Sequence, residues 1–123
     1  MKSPRILIVE DEPLIAMDLE DVVGQVVPAV VIIKSSVAGA RAALAEPVDF
    51  AFLDVNVTNG DTFSLARMLA ADGVPFAFIS ASAEKDLPPP LQTMPFIGKP
   101  ASRAAVKRVL AAAQLLIQSE AES

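Results

Sequence analysis

Five side chains that could take part in catalysis or ligand binding lie at the ends of short apolar runs along the sequence. They are Glu10, Asp11, Asp54, Ser80 and Lys99. If the three carboxylates came together, each pair would repel by roughly 3 kcal/mol at about 5 Å, so the group would need counter-charges. Lys99 would supply one positive charge, and a divalent cation would supply the rest.

The residue types narrow this chemistry. The chain contains no Cys and no His, which excludes thiol catalysis, zinc bound by thiolate or imidazole, and a Ser-His-Asp triad. Oxygen ligands alone select a hard ion, Mg²⁺ or Mn²⁺. Beside such an ion an Asp carboxylate could attack a phosphoryl group and form an acyl phosphate, while Lys99 and the Ser80 hydroxyl would hold the phosphoryl oxygens. The pattern therefore indicates phosphoryl chemistry.

The elements that position these side chains alternate between short apolar runs and segments with helical period. Strands are predicted at residues 5–9, 29–33, 49–55, 75–80 and 96–98. Helices are predicted from Pro13 onward and at residues 37–45, 62–71 and 101–119, with a turn at Asn59-Gly60. Such βα alternation predicts a parallel sheet with helices on both faces and a ligand site beyond the carboxyl ends of its strands.

Residues 81–95 break this alternation. A fourth helix is expected there, but Pro88-Pro89-Pro90 occupies the middle of the segment, and each internal Pro costs a helix about 3 kcal/mol. We expect a shortened or irregular fourth helix, in a loose segment that signalling or a partner could remodel.

Size and composition set further limits. The 123 residues, 53% of them hydrophobic, are enough for one globular domain, and we see no linker to a second. A net charge of -5 with no basic run argues against nucleic-acid binding. The longest apolar stretch, residues 26–33, is far shorter than the roughly 20 residues of a membrane span, and the N-terminus does not resemble a signal peptide. The expected location is the cytoplasm.

Four segments resemble the signature segments of response-regulator receiver domains. They are residues 6–12, 52–56, 79–81 and 96–100. The resemblance covers nearly the whole chain, in the family's order and spacing. It implies a flavodoxin-like (βα)5 fold, a doubly wound parallel five-stranded sheet with strand order 2-1-3-4-5. It also implies a single receiver domain over residues 1–123 without an output domain.

The resemblance assigns a metal site to matched positions. Glu10 and Asp11 match the acidic pair that holds Mg²⁺, with Asp11 the more direct ligand. Asp54 and the backbone carbonyl of Asn56 would complete the site. Glu12, next to the pair, is interpreted instead as a solvated residue in the first turn of a helix.

The resemblance also assigns the phosphoryl site and the switch. Asp54 matches the phosphoacceptor, and Ser80 matches the hydroxyl residue that bonds the phosphoryl group and moves inward on activation. Lys99 matches the lysine that pairs with phosphoryl oxygens, and the bond from Lys99 to Pro100 is commonly cis in the family. Phe96 occupies the position of the switch aromatic and is equally compatible with a plain core role.

The function implied is that of a phosphoacceptor in a two-component system or phosphorelay. A phosphoryl group would pass from a phosphohistidine donor to Asp54, and the chain would act as a relay or a phosphate sink. It would be no enzyme beyond its own phosphorylation and dephosphorylation. The expected partners are a sensor histidine kinase or a histidine phosphotransfer protein. A downstream protein or a second copy would engage residues 81–95, the fifth strand and the C-terminal helix.

A narrower resemblance is to the FAT GUY single-domain receivers. It is carried by residues 59–63, residues 74–78 and the proline-rich loop. Those proteins share Phe-x-Thr-Gly, then Gly or Ser and a Tyr. This chain has Phe78-Ile79-Ser80-Ala81-Ser82-Ala83, with Ser for Thr, Ala for Gly and no Tyr.

Two alternatives stay open from the sequence. Residues 54–58 resemble the Asp-x-Asp-x-Thr motif of haloacid-dehalogenase-like phosphohydrolases, although Asn56 replaces the second Asp, which is the general acid. The other alternative is a pseudo-receiver, an interaction module that never carries phosphate. The presence of all five residues that phosphorylation would require argues against it.

Overall fold

The computed structural model describes residues 3–58, 60–81 and 87–113. Its strands are β1 (Arg5–Val9), β2 (Val30–Lys34), β3 (Phe50–Asp54), β4 (Asn56–Val57), β5 (Gly60–Asp61), β6 (Phe76–Ser80) and β7 (Phe96–Gly98). Its α-helices over these residues are α1 (Pro13–Val26), α2 (Val37–Ala43), α3 (Phe63–Ala71) and α4 (Arg103–Ala112). None of the described helices is long and apolar enough to cross a membrane.

Five strands form one parallel sheet in the order β2-β1-β3-β6-β7. Without the two short strands β4 and β5 this order reads 2-1-3-4-5, so the predicted flavodoxin-like topology is confirmed. β4 and β5 pair with each other as an antiparallel ribbon, which the sequence indicated only as a turn. Gly60 lies in that ribbon with φ 131°, a conformation that favours glycine.

Two apolar layers enclose the sheet, because successive side chains of a strand point to opposite faces. Leu7 and Leu53 belong to the cluster that packs against α2 and α3. Ile8 and Phe52 belong to the cluster that packs against α1 and α4. All residues of β3 and β6 are buried, as is usual for parallel strands covered by helices on both faces. The polar residues that end these strands are therefore held by a rigid centre.

Side-chain caps fix the beginnings of two helices. The Ser36 hydroxyl accepts a hydrogen bond from the Gly39 N–H at 3.0 Å, and the Ser102 hydroxyl accepts one from the Ala105 N–H at 3.1 Å. Such caps stabilise a helix by about 1 kcal/mol each. Because the Ser102 cap begins α4 shortly after Lys99, the loop that carries this lysine is short.

The proline-rich segment forms no α-helix over residues 87–95, the part of it that the structure describes. Pro89–Leu91 is a single 3₁₀ turn, so the predicted irregularity is confirmed there. Leu87 and Leu91 are nevertheless buried and anchor this part of the segment to the core, while its remodelling by signalling or a partner stays a prediction. The Gln92 side-chain amide also donates to the Leu87 carbonyl at 2.7 Å. Residues 82–86 lie outside the described part.

Candidate functional site

The carboxyl edge of the sheet collects the polar residues that the sequence places at strand ends. Glu10 follows β1, Asp54 ends β3, Ser80 ends β6 and Lys99 follows β7. Asp54 lies beside Ile79 in the register of β3 and β6, so Ser80 is one residue further along the neighbouring strand. The Lys99 N–H donates to the Ser80 carbonyl at 3.0 Å, which joins the last two strand ends.

Lys99 is the centre of the site. Its Nζ lies 2.8 Å from Glu10 Oε1 and 2.9 Å from Asp54 Oδ2. The two carboxylates are almost completely buried, with side-chain exposures of 3% and 9%. Buried carboxylates are tolerated only when a counter-charge or hydrogen bonds compensate the lost hydration. One ammonium group therefore supports both acidic strand ends.

The pKa of Lys99 reports the balance of these effects. Burial by itself lowers the pKa, because it penalises the charged ammonium group. The hydrogen bonds to Glu10 and Asp54, together with their charges, outweigh burial and raise the pKa above the ordinary lysine value. Lys99 is therefore positively charged at neutral pH.

Three carboxylates, from Glu10, Asp11 and Asp54, form an acidic cluster. Each offers one oxygen, and these oxygens all lie within 4.8 Å of one another. The Lys99 ammonium balances one of the three negative charges. Two negative charges remain, and one divalent cation would balance them. An all-oxygen donor set of this kind suits Mg²⁺ or Mn²⁺. The residues present thus fit the expected ion.

The hydrogen bonds of the cluster distinguish its members. Both oxygens of Glu10 are already engaged, Oε1 by Lys99 and Oε2 by the Glu12 N–H at 3.2 Å. No such contact engages Asp11 among the described residues. The Asp11 carboxylate is therefore available for a metal ion, and its role as the more direct ligand stays a prediction.

Removing one charge from the acidic cluster should separate metal binding from folding. We expect Mg²⁺ at about 100 times its Kd to raise the free energy of unfolding of the native chain by about 2.7 kcal/mol. Asp11→Asn should lose most of this response, and it should be slightly more stable than the native chain in EDTA because one repulsion is gone. Urea denaturation with and without Mg²⁺ measures both effects.

The exposed Asp72→Asn variant is the control for that experiment, since it makes the same change at the end of α3. It should keep the full Mg²⁺ response. An equal response in Asp11→Asn would remove Asp11 from the metal site.

Two further predicted residues lie outside the acidic cluster. Asn56 is the first residue of the short strand β4 and its side chain is exposed, so only its backbone carbonyl is expected to act. Phe96 begins β7, opposite Phe78, and packs half-buried against the core on the α2 and α3 side. The bond from Lys99 to Pro100 is cis, as the resemblance implies.

The structure also brings forward residues that sequence reasoning missed. The Thr62 hydroxyl is fully buried and donates to the Asp54 backbone carbonyl at 2.7 Å. No local pattern indicated this, because Thr62 was interpreted as the start of a helix. On α1, Leu14 and Met17 are 81% and 60% exposed. The sequence could have indicated this exposure, because the apolar residues at positions 15, 19, 22 and 26 form one helical stripe and both residues fall outside it.

Solved structures of high similarity are found for the chain. SdrG from Sphingomonas melonis Fr1 is 36% identical, with 93% of this chain and 99% of that chain covered and a TM-score of 0.78. The BeF3-activated conformation of SdrG from Pseudomonas melonis Fr1 is 37% identical, covers 94% and 99%, and has a TM-score of 0.74. The PhyR response regulator REC domain of Erythrobacter litoralis is 28% identical, covers 93% and 92%, and has a TM-score of 0.77.

No protein-family model and no curated protein matches the chain. The identity to SdrG extends over nearly the full length of both chains, and this is sufficient to assign the family. The fold and the strand-end residues agree with that assignment. The chain belongs to the receiver domains of response regulators. Its role is accordingly in two-component signalling, whose proteins include the histidine kinases.

Proposed function

We propose that this receiver accepts a phosphoryl group on Asp54 from a phosphohistidine donor in a Mg²⁺-dependent reaction. The observation that carries the proposal is the position of Lys99 Nζ, 2.9 Å from Asp54 Oδ2, beside the acidic cluster. An ammonium group in contact with the buried Asp54, together with a carboxylate cluster that could bind a metal ion, would provide the charges that phosphoryl transfer requires.

Each residue has a separate task in the proposed reaction. An Asp54 carboxylate oxygen attacks phosphorus while the bond from phosphorus to the imidazole nitrogen of the donor breaks, and the electron pair leaves with the imidazole. Lys99 and the Ser80 hydroxyl donate hydrogen bonds to the phosphoryl oxygens. Glu10, 2.8 Å from Lys99, keeps the ammonium group in place while the Asp54 carboxylate is converted to an acyl phosphate. Mg²⁺, held by Asp11, Asp54 and the Asn56 carbonyl, would neutralise developing negative charge.

Acetyl phosphate and beryllofluoride test the proposal directly. The SdrG relative has a BeF3-activated conformation, which supports the use of the same reagent here. With Mg²⁺ present, we expect beryllofluoride to shift the amide signals of Val55, Ala81 and Lys99, and acetyl phosphate to add the mass of one phosphoryl group. Neither response should occur in EDTA.

Other outcomes of these experiments would favour the alternatives. Absence of both the shifts and the mass gain would indicate an interaction module that does not use phosphate. Steady hydrolysis of a generic phosphomonoester would indicate a phosphohydrolase. The proposed receiver turns over no external substrate, so its only catalysis would be its own phosphorylation and dephosphorylation.

The surface beside the site supports a protein donor. A groove of about 680 Å³ is lined by residues of the first half of α1, among them Leu14, and by Lys99 and Pro100. Leu14 is 81% exposed at this groove, and Met17, three residues further along α1, is 60% exposed. Apolar residues that lie together at a surface favour protein contacts. We propose that a histidine kinase or histidine phosphotransfer protein docks there, with β7 and α4 left for a downstream protein or a second copy.

Membership of the FAT GUY group is a narrower proposal. It is supported by the sequence of residues 59–63 and 74–78 and by the irregular segment around Pro89–Leu91. Ser80 and Ala81 depart from the group's motif. Phosphotransfer profiling against purified histidine kinases tests the assignment, because the group works with an unconventional class of these kinases.

A further inference from the structure

Thr62 uses its hydroxyl group in an unusual way for a residue at the start of a helix. A threonine at this position normally accepts a hydrogen bond from a backbone N–H of the first turn. Ser36 and Ser102 do so at the starts of α2 and α4. Thr62 makes no such cap for α3. Its hydroxyl, 0% exposed, instead donates to the Asp54 carbonyl at 2.7 Å.

The backbone of Thr62 makes a second contact to the same part of the chain. Its N–H donates to the Val55 carbonyl at 3.0 Å. Thr62 therefore donates hydrogen bonds to the backbone carbonyl groups of both Asp54 and Val55. The Asp61 carboxylate accepts the Phe63 N–H at 3.0 Å and so satisfies one donor at the start of α3 without help from the Thr62 hydroxyl.

The ribbon connects these contacts to the proposed metal site. Asn56 pairs with Asp61, the residue before Thr62, in the register of β4 and β5. The loop from Asp54 to Thr62 is thus closed twice, once by the ribbon and once by the Thr62 hydroxyl. Because the hydroxyl bond lies in a buried, low-dielectric setting, it restricts rotation of the Asp54 peptide more strongly than it would in water.

We propose that Thr62 is a positioning residue for phosphoryl transfer. Its hydroxyl fixes the Asp54 peptide and, through the closed loop, the position of the Asn56 carbonyl, which would bind Mg²⁺. This inference rests on the proposed function, because it assumes that Asp54 and the Asn56 carbonyl bind the ion. It assigns no contact between Thr62 and the phosphoryl group itself.

Substitution of Thr62 separates the hydroxyl group from the shape of the side chain. Thr62→Val keeps the shape and removes the donor. We expect its Kd for Mg²⁺, measured by titration followed by NMR, to rise about tenfold, as is typical when a group that orients a metal ligand is lost. The ¹³C′ signal of Asp54 should also move in the metal-free protein. Thr62→Ser keeps the donor and should bind Mg²⁺ with nearly native affinity.

Two controls exclude general effects. Thr58→Val makes the same change at an exposed position of the same loop, and Val23→Ala destabilises the buried core on α1. Both should bind Mg²⁺ as the native chain does. If Thr62→Val fails to fold, Thr62→Ala compared with Thr62→Ser isolates the hydroxyl. Native Mg²⁺ affinity in the variants without the hydroxyl would overturn this inference alone. No Mg²⁺ binding by the native chain would overturn the proposed function as well.

Discussion

Asp54→Asn is expected to abolish phosphorylation while the fold survives. The substitution keeps the shape of the side chain at the end of β3 but replaces the attacking carboxylate with an amide, which is not a nucleophile. Loss of an essential nucleophile lowers the rate by about a thousandfold or more. Intact-mass measurement after incubation with acetyl phosphate and Mg²⁺ should show no phosphoryl group on the variant. A cooperative urea transition should show that it is folded.

A matched control separates this effect from the loss of a negative charge. Asp72→Asn removes one charge at the exposed end of α3, far from the carboxyl edge of the sheet. It should be phosphorylated as fast as the native chain. If Asp54→Asn were phosphorylated at the native level, Asp54 would not be the acceptor and the proposed reaction would be wrong.

Lys99→Met is expected to have the largest effect on stability. The variant leaves the carboxylates of Glu10 and Asp54 buried and close together without their ammonium partner. Removal of one partner from a buried ion pair costs 3–5 kcal/mol, and this site borders solvent, so we expect a loss of about 3 kcal/mol in EDTA. Mg²⁺ should restore part of it, because the ion would compensate the charge of the Asp54 carboxylate. Urea denaturation under both conditions measures the effect.

The pH dependence of this stability difference has a definite sign. Because the folded protein raises the pKa of Lys99, the ion pair stabilises the fold below the pKa of the unfolded chain and is lost as pH rises through the folded pKa. The native chain should therefore keep its advantage over Lys99→Met from about pH 7 to about pH 9 and lose it only above about pH 10.4. Lys107→Met, on the exposed side of α4, is the control. Equal stability of Lys99→Met and the native chain in EDTA would contradict the proposed role of the ion pair.

Most of the fold could be predicted because it follows from the local periodicity of apolar residues. The alternation of apolar strands and amphipathic helices led to the observed sheet order, and Pro88 to Pro90 led to the irregular segment that now includes the turn Pro89–Leu91. Periodicity did not reveal the β4 and β5 ribbon, because two-residue strands are too short to show a pattern. Nor did it reveal that Leu87 and Leu91 hold the segment to the core, since that depends on the space left beside β6 and β7.

The sequence was sufficient to predict which residues form the candidate site. Glu10, Asp54, Ser80 and Lys99 were expected at one sheet edge because parallel strands all end there, and the structure places them there. Their individual partners were not predictable. That Lys99 contacts Glu10 as well as Asp54 depends on side-chain distances of 2.8 Å and 2.9 Å, which follow from packing and not from strand order.

The sequence by itself determined which chemical groups this receiver has and at which strand ends they stand, because both follow from residue type and from the order of apolar runs. Only the tertiary structure decided how those groups are held. The bond from the Thr62 hydroxyl to the Asp54 carbonyl joins residues eight positions apart across a closed loop. The direction of a hydroxyl group depends on the competing partners around it, and those are present only once the chain has folded.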